Sequence, residues 1–442
     1  MNPSLPLGSS KPVPRWAWLV LAALMLAGAG LRLAALDKDS FWLDELIRVT
    51  EARLADAPSI YAMLAGDVHP PGYILLLHAI TRLGGASEWQ YRFPSVLAGV
   101  LYIPILFLLG QRLYSHREGL LAAALAAFLH CPIDYSREAA PYMLLAALTA
   151  GATLLWLPLL ETLRTEGRVR WACALPYGLL AGLSFYMHYF GILFFGLQAA
   201  LAFALCLRNR RALGWLAVIY AIPWLLFAPW LPYFVGQLRG GQDVTAHMKE
   251  PGAGFFFKFL KTLFNGQHPV MLGVLALYGF AFVMALRQAG REASSVERGA
   301  SNDNRTDGLA VATLHTPLST LHRLLQTPGF LLLLWLSVPA LVVLAAAFLG
   351  KPMTKDRYLL ISMAPAYLLL ARAFMRLPVR GLPVAAAVLF CAGMLYEMIG
   401  AERYYVAPQR QQFREAIRYA LDNGGQEPGT LRVAWLGQAG TH

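Results

Sequence analysis

The stretch Asp39-Ser-Phe-Trp-Leu-Asp-Glu-Leu-Ile-Arg48 places two adjacent carboxylates, Asp44 and Glu45, directly after the first apolar span of the chain. A carboxylate held at a membrane surface can take the proton of an attacking hydroxyl, so the chemistry to look for is general-base catalysis. Leu43, Leu46, Ile47, Thr50 and Leu54 recur at helical spacing, which predicts a short amphipathic helix with Ser40 as its N-cap. Both acids then fall in its first turns, where the helix dipole favours their ionised form. Acidic residues there also simply help a helix to start. This pair stands out through its company.

Five further groups carry ionisable or hydrogen-bonding side chains at the ends of apolar runs. His69 lies in Asp67-Val-His-Pro-Pro-Gly-Tyr73, and Arg92 opens the next span in Arg92-Phe-Pro94. Asp134-Tyr-Ser-Arg-Glu-Ala-Ala-Pro-Tyr142 supplies Arg137, Glu138 and Tyr142 in one tight turn. His188-Tyr189 occupies another turn, and Lys355-Asp-Arg-Tyr358 opens a late span. Singly these read as caps, interfacial anchors or snorkelling cations. Together they put carboxylates, a histidine and cations on one surface, as sugar transfer from a phosphate-linked donor requires.

The elements that must position them are membrane helices. The 442 residues are 57% hydrophobic and 14% charged, with mean hydropathy +0.50. Soluble domains carry about 25% charged residues. Runs long enough to cross, about 17–25 residues each, fall near 16–36, 94–112, 119–135, 141–160, 172–190, 191–207, 212–232, 269–287, 329–349, 357–375 and 381–399. That is an all-α polytopic membrane protein of about eleven spans. Arginines concentrate in alternate short loops (112 and 117; 164, 168 and 170; 208, 210 and 211; 372, 376 and 380). With Lys11 and Arg15 they place the N-terminus in the cytoplasm, and the odd count places the tail outside. The first span has no small-residue cleavage site behind it and reads as uncleaved.

Outer loop one, 37–91, is too long to be a mere connector. It holds the acidic helix and an apolar run of about a dozen residues, too short to span. Ser87-Glu-Trp-Gln90 reads as a capping box. A second outer loop covers 233–268, an inner linker 288–328 is polar and flexible, and 401–442 is a short outer stub with a helix at 411–421 and a strand beyond it. The net charge of +12 is spread over loops without a basic-aromatic cluster, pointing to anionic headgroups and not to nucleic acid. The four cysteines, 131, 173, 206 and 391, show no CxxC spacing and imply no disulfide framework. The central thirds of the spans contain essentially no Asp, Glu, Lys or Arg. That argues against the alternative of a transporter or lipid flippase, which needs such groups at midplane. A non-catalytic assembly or receptor subunit is the other alternative.

These pieces resemble the GT-C class of integral-membrane glycosyltransferases, specifically the bacterial relatives of protein O-mannosyltransferases in glycosyltransferase family 39 and the lipid A aminoarabinose transferases. The resemblance rests on Asp44-Glu45, His69-Pro-Pro-Gly-Tyr73, Arg92-Phe-Pro-Ser95, Ser136-Arg-Glu-Ala-Ala-Pro-Tyr-Met-Leu144, His188-Tyr-Phe-Gly191, Pro229-Trp-Leu-Pro232 and Arg357-Tyr-Leu-Leu360, in family order. The chain departs at Ala140, where the family often has arginine, and in its short C-terminal stub. The resemblance implies a GT-C-like transmembrane domain over 1–400, with its active site on the outer, periplasmic face of a bacterial inner membrane. It implies inverting transfer of a monosaccharide from a polyprenyl-phosphate donor to a lipid, glycan or protein hydroxyl. Asp44 is then the base, supported by Glu45. Lys355 and Arg357, with Arg92 or Arg137, would meet the donor phosphate, and His69 and His188 would orient phosphate or sugar. Glu138, Tyr142, Tyr189 and Tyr358 complete the expected donor site. No cofactor is demanded, although outer His and acidic residues leave room for a divalent metal.

Overall fold

The computed structural model describes residues 12–54, 56–240, 253–264, 274–276, 279, 327–348, 355–379 and 381–423. Every regular element among them is helical. In chain order these are α1 (Arg15–Leu33), α2 (Leu43–Ala52), α3 (Ala57–Ala65), α4 (Gly72–Arg82), α5 (Glu88–Leu113), α6 (His116–Phe128) and α7 (His130–Ser136). Then follow α8 (Tyr142–Glu166), α9 (Trp171–Met187), α10 (Phe190–Cys206), α11 (Arg210–Phe227), α12 (Leu231–Gly240) and α13 (Ala253–Phe264). The last are α14 (Pro328–Phe348), a 3-10 turn at Asp356–Ser362, α15 (Met363–Met375), α16 (Leu382–Tyr396) and α17 (Phe413–Asn423).

Seven of these segments are long and apolar enough to cross a membrane: α1, α5, α8, α11, α14, Arg357–Met375 and Leu382–Ala401. α6 and α7 make an eighth candidate bent by 56°, and α9 and α10 are shorter apolar helices. Ten of the eleven predicted spans thus coincide with helices. Most of the span at 269–287 lies outside the described residues, as do most of the linker 288–328, part of the loop 233–268 and the strand expected in the tail. The protein is a multi-pass membrane protein. Many of its exposed large apolar side chains, such as Leu19, Leu26, Leu97 and Leu225, belong to these spans, as lipid-facing surface would.

α5, α6 and α8 form the centre, with Tyr102, Phe107 and Trp156 buried on them. The break between α6 and α7 has an identifiable cause. Leu129 is extended (φ −74°, ψ 146°), and Pro132 sits in the first turn of α7, where its missing N–H costs nothing. The buried Arg32 of α1 donates to the carbonyls of Ala126 (2.8 Å) and Ala127 (3.3 Å), which end α6, and to Ser136 Oγ (3.0 Å) at the end of α7. One guanidinium therefore satisfies carbonyls that the bend leaves open. Gly99 of α5 makes room for it, because a Cβ there would come within 2.8 Å of Arg32 Nε.

The residues between α1 and α5 pack as three short helices on one end of the bundle, with α2 against α4 through Val49, Ala52 and Leu77. α4 is the apolar run judged too short to span. The Ser87–Gln90 capping box is present: Gln90 N–H donates to Ser87 Oγ (3.4 Å) and Ser87 N–H to Gln90 Oε1 (3.0 Å). Ser40 is not the N-cap of α2, however. That position is Trp42, and Ser40 Oγ donates to the carbonyl of Gln411 (3.0 Å) in a C-terminal segment remote in sequence. The tail helix also begins two residues later than expected, at Phe413.

Candidate active site

Asp44 occupies the first turn of α2, as its helical spacing implied. Its Oδ2 accepts a hydrogen bond from Arg357 Nη1. The two side chains keep 25% and 21% of their surface exposed, so the pair borders solvent. Arg48, one turn on from Asp44 and hence on the same face of α2, donates to Tyr142 OH (3.4 Å) and to the Asp44 carbonyl (3.2 Å). Arg48 and Arg357 both lie over the Tyr142 ring, at 5.8 and 5.7 Å.

Four other segments meet α2 here. Tyr142 opens α8 behind Pro141. His188 ends α9, with its ring 5.9 Å from Tyr142 and 5.8 Å from Tyr358. Phe190 stacks on Tyr358 at 5.2 Å. Burial pushes the His188 imidazole down to about 3, with the positive fields of His69, Arg48 and Arg357 adding to it. Phe190 N–H donates to His188 Nδ1 (3.2 Å), so the neutral ring carries its proton on Nε2. Burial among aromatic rings and beside cations thus favours the neutral form of His188.

Glu45 has a different place from its neighbour. It is fully buried and forked against Arg92: Nε donates to Oε1 (2.9 Å) and Nη2 to Oε2 (2.7 Å). Oε1 also accepts from Ala139 N–H (2.7 Å), and Oε2 from Trp42 N–H (3.3 Å). Arg92 spends its remaining donors on the carbonyls of Leu36 (2.8 Å), Asp39 (2.9 Å) and Ser40 (3.1 Å). A guanidinium has five N–H groups, so none is left for a phosphate. Arg137 is likewise committed, to the carbonyls of Arg32 (2.9 Å), Ala34 and Ala35 (2.7 Å), under the rings of Tyr404 and Tyr405. Both arginines and Glu45 lock the connection between α1 and α2 onto α5 and α7.

Glu138 is buried and paired with Arg410, which also binds Asp134 Oδ2 (2.6 Å). Burial pushes the Glu138 carboxyl up to about 7; Arg410 opposes this, and the charges of Asp134 and Glu45 reinforce it. Arg410 lies 5.5 Å over the Trp42 ring, whose other guanidinium neighbour is Arg357 at 5.9 Å. The segment that brings Arg410 here runs from Glu402 to Glu415 as a strap. Tyr404 OH donates to Asp134 Oδ1 (2.7 Å), Leu43 N–H donates to Gln411 Oε1 (3.2 Å), and Arg414 pairs with Glu88 (2.8 Å). Nothing in the local pattern of residues 402–415 announced this. Its partners lie more than two hundred positions away.

The remaining expected residues sit at the margin. His69 is half exposed and paired with Asp67 (3.0 Å). Tyr189 donates to Gln237 and accepts from Trp230 Nε1 (2.8 Å), fixing α12 rather than facing Asp44. Lys355 is half-buried immediately before the 3-10 turn, with no carboxylate in ion-pair contact among the described residues. Arg48 was absent from the sequence expectation. Its signal was the i, i+4 spacing from Asp44. Among the described residues no three His, Cys, Asp or Glu side chains gather as metal ligands would. An apolar cleft of about 460 Å³ lined by Trp156, Phe194 and Trp335 also contains Thr153 of α8. By the helical rise that is about 16 Å along α8 from Tyr142, away from the charged cluster.

An all-helical bundle with a helical cap at one end is the architecture of the GT-C class of integral-membrane glycosyltransferases, and this chain has that fold. Residues 68–233 match the family described as dolichyl-phosphate-mannose-protein mannosyltransferase, which relates the chain to glycosyltransferase family 39 as the motifs implied. No curated protein matches the chain. The solved structure of ArnT from Cupriavidus metallidurans in the apo state is 15% identical, with TM-score 0.54, covering 92% of this chain and 68% of that one. Its form bound to undecaprenyl phosphate is 15% identical with the same coverage and TM-score 0.55. The Archaeoglobus fulgidus oligosaccharyltransferase tethered to an acceptor peptide is 15% identical with TM-score 0.51, covering 92% and 57%. At these identities the likeness is one of fold.

Proposed function

We propose that this protein transfers a monosaccharide from a polyprenyl-phosphate-linked donor to an acceptor hydroxyl, with inversion, at the periplasmic face of a bacterial inner membrane. The observation that carries the reading is the Asp44–Arg357 pair at the solvent border of the cap. A base and a phosphate-seeking cation thus stand side by side, as the two ends of a glycosyl transfer need. The acceptor oxygen attacks the anomeric carbon and gives its proton to Asp44, while the bond from that carbon to the phosphate oxygen breaks. The electron pair leaves with the lipid phosphate, where Arg357 and Lys355 offset the growing charge. A phosphate is a good leaving group and needs cations here, not an acid.

Asp44 cannot act while Arg357 holds it. A donor phosphate that draws the guanidinium away would release the carboxylate when the sugar is in place. The arginine-rich alternate loops support a cytoplasmic N-terminus, and reporter fusions at Arg168 and Glu88 should then fall on opposite sides. The acceptor is a hydroxyl of a lipid, glycan or protein. The decisive experiment is sugar transfer by purified protein from a synthetic polyprenyl-phosphate sugar, following release of polyprenyl phosphate. No release with any acceptor extract from the envelope would refute the reading.

A further inference from the structure

Beside Tyr142, Arg48 stands without a carboxylate at ion-pair distance among the described residues. Asp44 is matched by Arg357, and Asp134 and Glu138 share Arg410. Arg48 has no carboxylate in ion-pair contact among the described residues; it has only a phenol oxygen at 3.4 Å and its own helix carbonyl at 3.2 Å. Two buried N–H donors in the same cluster also lack acceptors: the Trp42 indole Nε1 and the Arg357 Nε. The Trp42 ring is itself in contact with Arg357. Buried donors are ordinarily paired, and each exception asks for an explanation.

A guanidinium without an ion-pair contact and two N–H groups without acceptors suit an anion with several acceptor oxygens. We infer that Arg48 and the Trp42 indole N–H, together with Arg357, form the seat of the donor's phosphate group. The inference rests on the proposed lipid-phosphate donor and adds two ligands that family motifs and residue spacing did not single out. A phosphate oxygen would take the Trp42 N–H and another the Arg357 Nε. Arg48, over the same Tyr142 ring as Arg357, would supply the charge that lets Arg357 divide itself between phosphate and Asp44. Guanidinium and phosphate match as fork and acceptor pair, which an ammonium does not reproduce. Asp44 and Arg48 share a face of α2, so the seat is set beside the base by one turn of helix.

The test is equilibrium binding of undecaprenyl phosphate to purified full-length protein in nanodiscs, with inorganic phosphate and phosphatidylglycerol as parallel probes. Variants are Arg48→Gln, Arg48→Lys and Trp42→Phe, each checked by thermal melting. Losing a hydrogen bond to a charged group costs about one decade of affinity. Arg48→Gln should therefore weaken undecaprenyl phosphate binding roughly tenfold or more, Arg48→Lys less, and Trp42→Phe severalfold while retaining the ring. Phosphatidylglycerol should show no such dependence. If Arg48→Gln proved unfolded, Arg48→Lys and Trp42→Phe would carry the test. A wild type that binds the lipid phosphate as tightly as folded variants do would overturn the seat and leave the glycosyl-transfer reading standing. Binding in which Arg48 matters only for inorganic phosphate would also overturn it. A wild type that binds no polyprenyl phosphate would remove the proposed donor itself.

Discussion

Arg92 grips both oxygens of Glu45 at 2.9 and 2.7 Å in a fully buried fork, whereas the adjacent Asp44 faces solvent with Arg357 as its partner. Two neighbouring carboxylates are thereby given separate work. One holds the cap to the bundle, and in the proposed reaction the other meets substrate once its cation moves.

The pair should separate cleanly under mutation. Asp44→Asn keeps shape and should lower turnover by roughly 10²–10⁴-fold, the usual contribution of a general base, while its melting temperature stays near that of the wild type. Glu45→Ala leaves the Arg92 charge buried and unpaired, which typically costs about 3–5 kcal/mol. Its loss of activity should follow its loss of folded protein. Thermal melting alongside transfer assays distinguishes them, and a folded Asp44→Asn protein with near-normal turnover would end the base assignment.

How far this was legible depended on distance along the chain. Asp44 could be placed from Leu43, Leu46 and Ile47 because helical periodicity is local, and Ser87–Gln90 because a capping box spans three residues. The fate of Glu45 was not legible, since its partner Arg92 is 47 positions away and a carboxylate looks alike whether it is a base or a clamp. Arg92 and Arg137 were ranked as phosphate cations by charge and position. Burial turned them into carbonyl-binding struts. Ser40 is a sound N-cap by type, but Gln411 claims its hydroxyl. An arginine four residues from an aspartate is ordinary helix chemistry, and only the fold brings Arg48 and Arg357 to the same Tyr142 ring.

A second expectation concerns pH. The Glu138 carboxyl titrates near 7 in the folded protein against about 4.5 for an unperturbed glutamate. Because the folded value is raised, the folded state binds more protons between these limits, so this group's favourable contribution is complete below the lower value and lost as pH rises through the upper one. Melting temperature should fall as pH rises from about 4.5 to 7. Glu138→Gln should flatten that part of the profile. An unchanged slope in the variant would assign it to other groups.

The strap makes a third case. Residues 402–415 join Asp134, Glu138, Lys38, Leu43 and Glu88 through hydrogen bonds and ion pairs, and Leu43 opens the helix that carries Asp44. Arg410→Ala would leave two carboxylates facing each other without a cation and loosen the entry to α2. Transfer should fall at least tenfold with reduced melting temperature, and Arg410→Lys should restore stability more than turnover, because an ammonium cannot span both acids and stack on Trp42 as a guanidinium does. Equal recovery of both would make the strap a purely structural brace.

The last expectation follows from the ion pair that must open. If donor phosphate competes with Asp44 for Arg357, the donor should bind before the acceptor and should unmask the carboxylate. Carbodiimide reacts with accessible carboxyl groups, so labelling of Asp44, read by peptide mass spectrometry, should rise when undecaprenyl phosphate is added. Arg357→Gln should be labelled readily without any lipid, since its amide cannot form the ion pair. The same variant should bind donor roughly tenfold or more weakly, having lost a charged hydrogen bond, and should hydrolyse bound donor to free sugar more often per transfer, because its base is never held back. Labelling that is high in the wild type from the start, or that falls when the lipid arrives, would show that Arg357 does not leave Asp44 for the phosphate. The guanidinium would then be a fixed partner of the base.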